Sequence, residues 1–116
     1  MQYLLLLHMD EAGWSNLTPD ERAQGQAAYT AFTGELREAG KLVASARLTP
    51  DGAKTIRTKG GRPVVMDGPF AETKEQVAGF YLFEAADLDE AMDWAGRCPG
   101  AAHGVVEVRQ LFTAPA

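Results

Sequence analysis

Apolar residues recur along the chain in two rhythms. Tyr3-Leu4-Leu5-Leu6-Leu7-His8-Met9 is a run of strand length that is apolar on both faces, and the polar stretch Asp10 to Asn16 bounds it as a loop. Thr18-Pro19-Asp20-Glu21 then reads as a capping box, with Thr18 accepting from the third helical amide, Pro19 at the first helical position and Glu21 reaching back. The spacing Tyr29, Phe32, Leu36, Ala39 predicts a helix with one inward stripe, stopped by Gly40. Leu42 to Leu48 returns to strand rhythm, and Pro50-Asp51-Gly52 turns the chain. Thr55 to Thr58 and Val64 to Met66 form a hairpin around Gly60-Gly61, an inserted β arm. Gly79 to Glu84 is an aromatic-rich strand, followed by a helix that Asp87 and Glu90 cap by the same box logic. Leu88, Ala91, Met92 and Ala95 form its expected buried stripe, and Cys98-Pro99-Gly100 ends it. The last strand, Val105 to Phe112, puts Val106, Val108, Gln110 and Phe112 on one face and Val105, Glu107, Arg109 and Leu111 on the other.

The order is β-α-β, hairpin, β-α-β: a ferredoxin-like α+β layout in which both helices cover one face of a single antiparallel sheet. The 116 residues make one domain, 1–116, near the size at which burial alone gives modest stability. Runs such as Leu4 to Leu7 and Phe80 to Phe83 leave apolar side chains on the uncovered face, which points to a homodimer that hides them. A net charge of -5 and a pI near 4.9 argue against nucleic acid or an anionic membrane as partner; basic residues are scattered singly, except across the hairpin from Lys54 to Arg62. The longest apolar run is too short to span a bilayer and no charged segment precedes it, so a cytoplasmic protein is expected. A single Cys98 excludes an intramolecular disulfide and a multi-cysteine metal cage.

The densest chemistry lies in Val65-Met66-Asp67-Gly68-Pro69-Phe70-Ala71-Glu72-Thr73-Lys74-Glu75, where a turn, a helix start near Phe70 and three carboxylates follow an apolar strand. With the tetrapeptide Asp67 to Phe70, its continuation to Glu75, Leu88 to Ala95, and Val106-Glu107-Val108-Arg109, the chain resembles the DGPF subgroup of the YCII-related family over nearly its whole length. The resemblance implies a ferredoxin-like dimeric α+β barrel with two sheets packed face to face. Some YCII-related proteins carry a histidine in the first helix, about three turns before its terminal glycine, with an aspartate two residues before that glycine, a pair resembling a catalytic dyad. The matching positions here, counted back from Gly40, hold Tyr29 and Glu38. A phenol, with a reference pKa of about 10, is no base near neutral pH. That dyad is therefore not carried over.

Asp67, at a strand end beside a Gly-Pro turn, is a candidate general acid or base if partly desolvated, and equally a turn former or helix cap. His103 lies among small residues that would let an imidazole lean over a nearby site, and is the second catalytic candidate. Arg109 shares a strand face with Glu107 and suits bidentate capture of a carboxylate, or else an interface or intramolecular ion pair. Lys74 anchors a substrate carboxylate if it points inward, and is otherwise solvated. Trp14 stands in a polar loop where a large ring needs something to cover, either a ligand cleft or a partner subunit. His8, Asp10, Glu11 and His103 match no ligand spacing, so no metal is expected.

Two functions compete on this reading. One is a small enzyme, free of cofactor, doing acid-base chemistry on a small organic acid or lactone, as related α+β barrels do isomerase, lyase and oxygenase chemistry. The other is a ligand-binding or accessory domain without turnover; sequences similar to the subgroup occur beside or fused to sigma factors of transcription initiation.

Overall fold

A computed structural model describes residues 1–70 and 74–113. Its elements in chain order are β1 (Gln2–Met9), α1 (Glu11–Ser15), α2 (Pro19–Glu38), β2 (Leu42–Arg47), β3 (Lys54–Lys59), β4 (Arg62–Asp67), β5 (Gln76–Glu84), α3 (Leu88–Arg97), α4 (Gly100–His103) and β6 (Val105–Gln110). Four strands form one antiparallel sheet in the order β2-β5-β1-β6, the ferredoxin-like order, and β3 and β4 form a separate two-stranded sheet. The leucine-rich β1 is central, hydrogen-bonded on both sides by β5 and β6.

Strand alternation divides β1 cleanly. Tyr3, Leu5 and Leu7 are buried beneath the helices, joined by Tyr81 and Phe83 of β5. Phe32 and Leu36 descend from α2 and Ala91, Trp94 and Ala95 from α3 to close this core. Phe32 makes edge-on contacts with Tyr81 at 5.2 Å and Trp94 at 6.1 Å between ring centroids, the arrangement favoured by the aromatic quadrupole. On the opposite face Leu4 and Leu6 of β1 lie beside Leu82 and Phe80 of β5, and Ala44 and Ala46 of β2 extend the row. No helix covers them.

The capping box of α2 forms in full: the Glu21 amide donates to Thr18 Oγ1 at 3.1 Å, and the Thr18 amide to Glu21 Oε1 at 2.9 Å. Gly40 supplies the left-handed residue past the helix, with φ of 71°. At α3 only half of the box forms. Asp87 caps the Glu90 amide at 2.9 Å, but Glu90 reaches past Asp87 to the Ala86 amide and ion-pairs with Lys41 of the neighbouring connection.

The buried stripe of α3 also differs from the expected one. Ala91, Trp94, Ala95 and Cys98 face inward, whereas Leu88 and Met92 are exposed. The helix is rotated so that the larger indole meets Phe32, while its outer face carries the Arg97 guanidinium, 3.8 Å from the ring centroid. Two expected loops contain single helical turns. Asp10 caps α1 through the Ala12 amide, and α4 follows Cys98-Pro99. The helix expected to start near Phe70 falls on 71–73, outside the described residues.

The inserted arm is present as read. Its strands pair from Lys54↔Asp67 to Lys59↔Arg62, and Gly60 and Gly61 both take positive φ at the tip. Among the described residues no helix is long and apolar enough to cross a membrane.

If the Phe32–Leu36 stripe holds α2 to the sheet, Leu36→Ala will lower unfolding free energy by about 2–5 kcal/mol, through lost transfer energy and a cavity. Thr18→Ala, which removes one partner of an exposed cap, will cost about 1 kcal/mol. Urea denaturation of both variants checks the ranking; equal losses would mean that the stripe is not what anchors α2.

Candidate functional site

A cleft of about 1790 Å³ opens at the end of the sheet where β1 finishes and β5 begins. Two glycines lie at close contacts beside it. Gly79 of β5 stands between Leu7 of β1 and Arg47 of β2, on the helix-facing side. A Cβ there would lie 2.8 Å from the Ala46 carbonyl oxygen, so the close approach of β2 requires glycine. Gly25 on α2 lies under Trp14, whose ring would sit 3.4 Å from an added Cβ. The indole therefore rests on the helix, as part of the cleft wall.

Strand alternation assigns the lining residues to two sides. On the helix side are Trp14, Gln26, Tyr29, Thr30, Arg47 and Tyr81. On the other side are His8, Val77, Phe80, Val105 and Glu107. The register of β1 against β5 shifts between Leu7 and His8, so that His8 pairs with Val77 while Leu7 pairs with Gly79. A bulge of this kind re-aims the side chains beyond it.

On the helix side, the Arg47 guanidinium lies over the Trp14 ring at 5.0 Å from its centroid. Arg47 has no carboxylate partner among the described residues. Burial pushes the Tyr29 phenol up to about 12, a rise that the Arg47 charge only partly offsets. Burial likewise raises Tyr81, against a lowering contribution from its hydrogen bond with Thr33. Thr33 Oγ1 donates to the Tyr29 carbonyl at 2.8 Å, so across the 2.9 Å contact between Thr33 and Tyr81 the phenol is the donor. Both tyrosines are thus protonated donors at neutral pH, and neither serves as a base.

On the other side, His8 Nε2 lies 2.9 Å from Glu107 Oε1, and Arg109 reaches Glu107 Oε2 at 3.3 Å. These two partners, His8 foremost, hold the Glu107 carboxyl below the usual carboxylate range. An ionised carboxylate only accepts, so Nε2 carries the ring proton and the neutral imidazole keeps Nδ1 as its basic nitrogen.

The structure brings together only part of the set expected from sequence. Trp14 lines the cleft. Arg109 stands beside the cleft residue Glu107, as the ion pair foreseen between them. Asp67 lies at the root of the arm, its side chain 86% exposed and paired with Lys54, so the fold does not supply the desolvated setting that acid-base work there would need. The turn after it is well held: Gly68, with φ of 105°, donates to the Ala53 carbonyl at 2.7 Å and accepts from Thr55 at 2.8 Å. His103 ends α4 as an exposed residue and does not line the cleft, and Lys74 is exposed with its ammonium 3.8 Å from Asp10.

Arg47 and the His8–Glu107 pair were not legible as a site. A lone arginine closing an otherwise apolar strand was the available signal for Arg47. The histidine and glutamate are 99 positions apart and meet only through the pairing of β1 with β6. Among the described residues no three His, Cys, Asp or Glu side chains converge as a metal site.

The sequence profile of the YCII-related domain matches residues 1–114. A protein of Rhizobium meliloti (strain 1021), described as uncharacterized, is 44% identical over 114 residues, which span 96% of this chain and 92% of that one. Among solved structures, the 5-chloro-2-hydroxyhydroquinone dehydrochlorinase of Burkholderia phenoliruptrix AC1100, in complex with 2,5-dihydroxybenzoquinone, superposes with a TM-score of 0.53. That alignment covers 98% of this chain and 96% of the other at 16% identity, and so speaks to the fold alone. A ferredoxin-like α+β chain matched by one family profile over almost its full length belongs to the YCII-related domain family.

Proposed function

We propose that this protein, a member of the DGPF subgroup, is a small cytoplasmic enzyme that performs proton transfer on a small organic acid, lactone or phenol without a bound cofactor. The observation that carries the reading is the His8–Glu107 pair at a cleft whose opposite side presents an uncompensated Arg47. Glu107 orients the imidazole through Nε2 and leaves Nδ1 as its basic nitrogen, so that His8 is the general base and Arg47 the anchor for a substrate anion. Tyr29 donates a hydrogen bond to an oxygen that gains charge, and Trp14 offers a flat apolar wall. The acid-base work falls to His8 rather than to Asp67 or His103, since His8 lines the cleft and they do not. A protein of the same fold is named as a dehydrochlorinase of a chlorinated hydroxyhydroquinone, which places oxygenated rings among the first compounds to try. The working unit is a homodimer in which two uncovered sheet faces, bearing Leu4, Leu6, Phe80 and Leu82, pack together and enclose the His8 end of the sheet.

A second reading, binding without turnover, rests on the exposure of Asp67 and of Phe70, which is 73% exposed, at the signature turn. It predicts saturable affinity for a small ligand with no product.

Thermal-shift titration against small organic acids, lactones and phenols, followed by turnover assays with the class that binds, tests the enzyme reading. Arg47→Gln will weaken binding by roughly tenfold or more, the cost of a lost charge-assisted contact. His8→Gln will retain binding and lower turnover by about 10²–10⁴. Turnover at the wild-type rate in His8→Gln would exclude His8 as the base.

The pairing also has a pH signature. A carboxyl whose folded pKa is depressed contributes stability above its unfolded pKa, and loses it as pH falls through the folded value. Carbon-detected NMR titration will therefore find Glu107 still ionised where ordinary glutamates protonate, and His8→Gln will move its midpoint upward. An unchanged midpoint in that variant would show that the pair does not form in solution.

A further inference from the structure

The arm is the element of the fold with the least to pack against. β3 and β4 pair only with each other, and every described side chain on them except Thr55 is exposed. Ile56 and Val65 face each other across the ladder, 63% and 59% exposed, and form an apolar face with no cover among the described residues. A lone two-stranded ribbon is marginal in water, and its open edges invite pairing. The arm also gives the chain its outline. A radius of gyration of 16.3 Å and extents of 49 × 49 × 18 Å describe a flat molecule, against the radius of about 13 Å expected of a compact chain this long.

Two observations identify what covers the arm. First, it is basic in an acidic protein: Lys54, Arg57, Lys59 and Arg62 are four of the chain's 11 basic residues, whereas Asp67 is the only one of its 16 acidic residues on β3 or β4. A second copy therefore presents a body of opposite charge. Second, the cleft at about 1790 Å³ far exceeds the roughly 300–1,000 Å³ that a small ligand fills. Its non-helix side is apolar at Val77, Phe80 and Val105, and its rim carries Asp10 and Asp51.

We propose that the arm of one copy docks across the cleft of a second copy, so that the ligand site is complete only in the dimer. The Ile56–Val65 face covers the exposed Val77 and Val105, and the basic tip at Lys59 and Arg62 meets the acidic rim. The volume left on the helix side, beside Trp14, Arg47 and Tyr29, is then of ligand size. This rests on the cleft being the ligand site, and adds to the sheet-to-sheet contact a reciprocal clasp that excludes water from each site.

The test uses the full chain and separates the two claims. Ile56→Cys chains mixed with Val105→Cys chains under mild oxidation will give an intermolecular cross-link, because the sole native cysteine, Cys98, is buried. Ile56→Asp with Val65→Asp, on exposed positions where folding is preserved, will weaken the dimer in sedimentation equilibrium by about tenfold or more, as expected for charging two buried apolar contacts. It will also weaken ligand binding, while circular dichroism stays that of the wild type. A wild-type monomer, a dimer of unchanged affinity in the charged variant, or a cross-link formed only within one chain carrying both cysteines would each overturn the clasp. Loss of ligand binding in Arg47→Gln with the cross-link intact supports both claims; a cross-link with no ligand bound by any variant supports the clasp and counts against the site.

Discussion

A strand that is apolar on both sides must be covered on both, and β1 places that demand at the centre of the molecule. Its position between β5 and β6 pairs its backbone on both sides from Tyr3 to His8, which lets Leu4 to Leu7 stand in a row without a polar break. Tyr3, Leu5 and Leu7 recruit α2 and α3, and the size of Trp94 sets how α3 turns to meet them. Leu4 and Leu6 make the same demand from the other side of the sheet, where the chain has no helix to offer. The layering of the body and the place of the cleft both descend from this arrangement.

The cleft lies where the regular pattern of β1 ends. Gly79 lets β2 approach closely beside Arg47, and the register shift at His8 turns the last residues of the strand. Groups from both sides of the sheet therefore meet one cavity. A carboxylate-held imidazole and a guanidinium stacked on an indole, with no carboxylate partner among the described residues, line the same cleft, the kind of convergence of polar groups that functional clefts use. The tyrosines add donors whose protons burial keeps in place.

Local contacts hold the turn from Asp67 to Pro69 at the root of the arm. Asp67 is tied to Lys54 at the root of the arm, and the positive φ of Gly68 with the Thr55 hydrogen bond fixes the direction in which the arm leaves the body. The segment is thus a hinge mounting for the hairpin, and its Phe70 is held against Arg57 of the arm at 5.1 Å.

Local chemistry determined much of this molecule. The Thr18–Glu21 box, the Gly40 stop and the two-glycine tip of the arm depend on residues a few positions apart, and all were legible as written; the alternation of β6 holds only as far as Gln110, where the strand ends and leaves Phe112 exposed beyond it. The turns of α1 and α4 were not, since helices of five and four residues are too short to show a periodic stripe. The rotation of α3 was missed because four apolar residues on one helical face fit the pattern as well as the face carrying Trp94 does, and only contact with Phe32 separates them. The site lay further out of reach. Which histidine meets which carboxylate is decided by the register of strands 99 positions apart in the chain, and Arg47 gains its significance from the absent side chain of Gly79 across the ladder. The sequence by itself determined the elements, their caps and the apolar surplus of the sheet; tertiary structure alone decided where the charges meet, because strand pairing brings together side chains that no local periodicity relates.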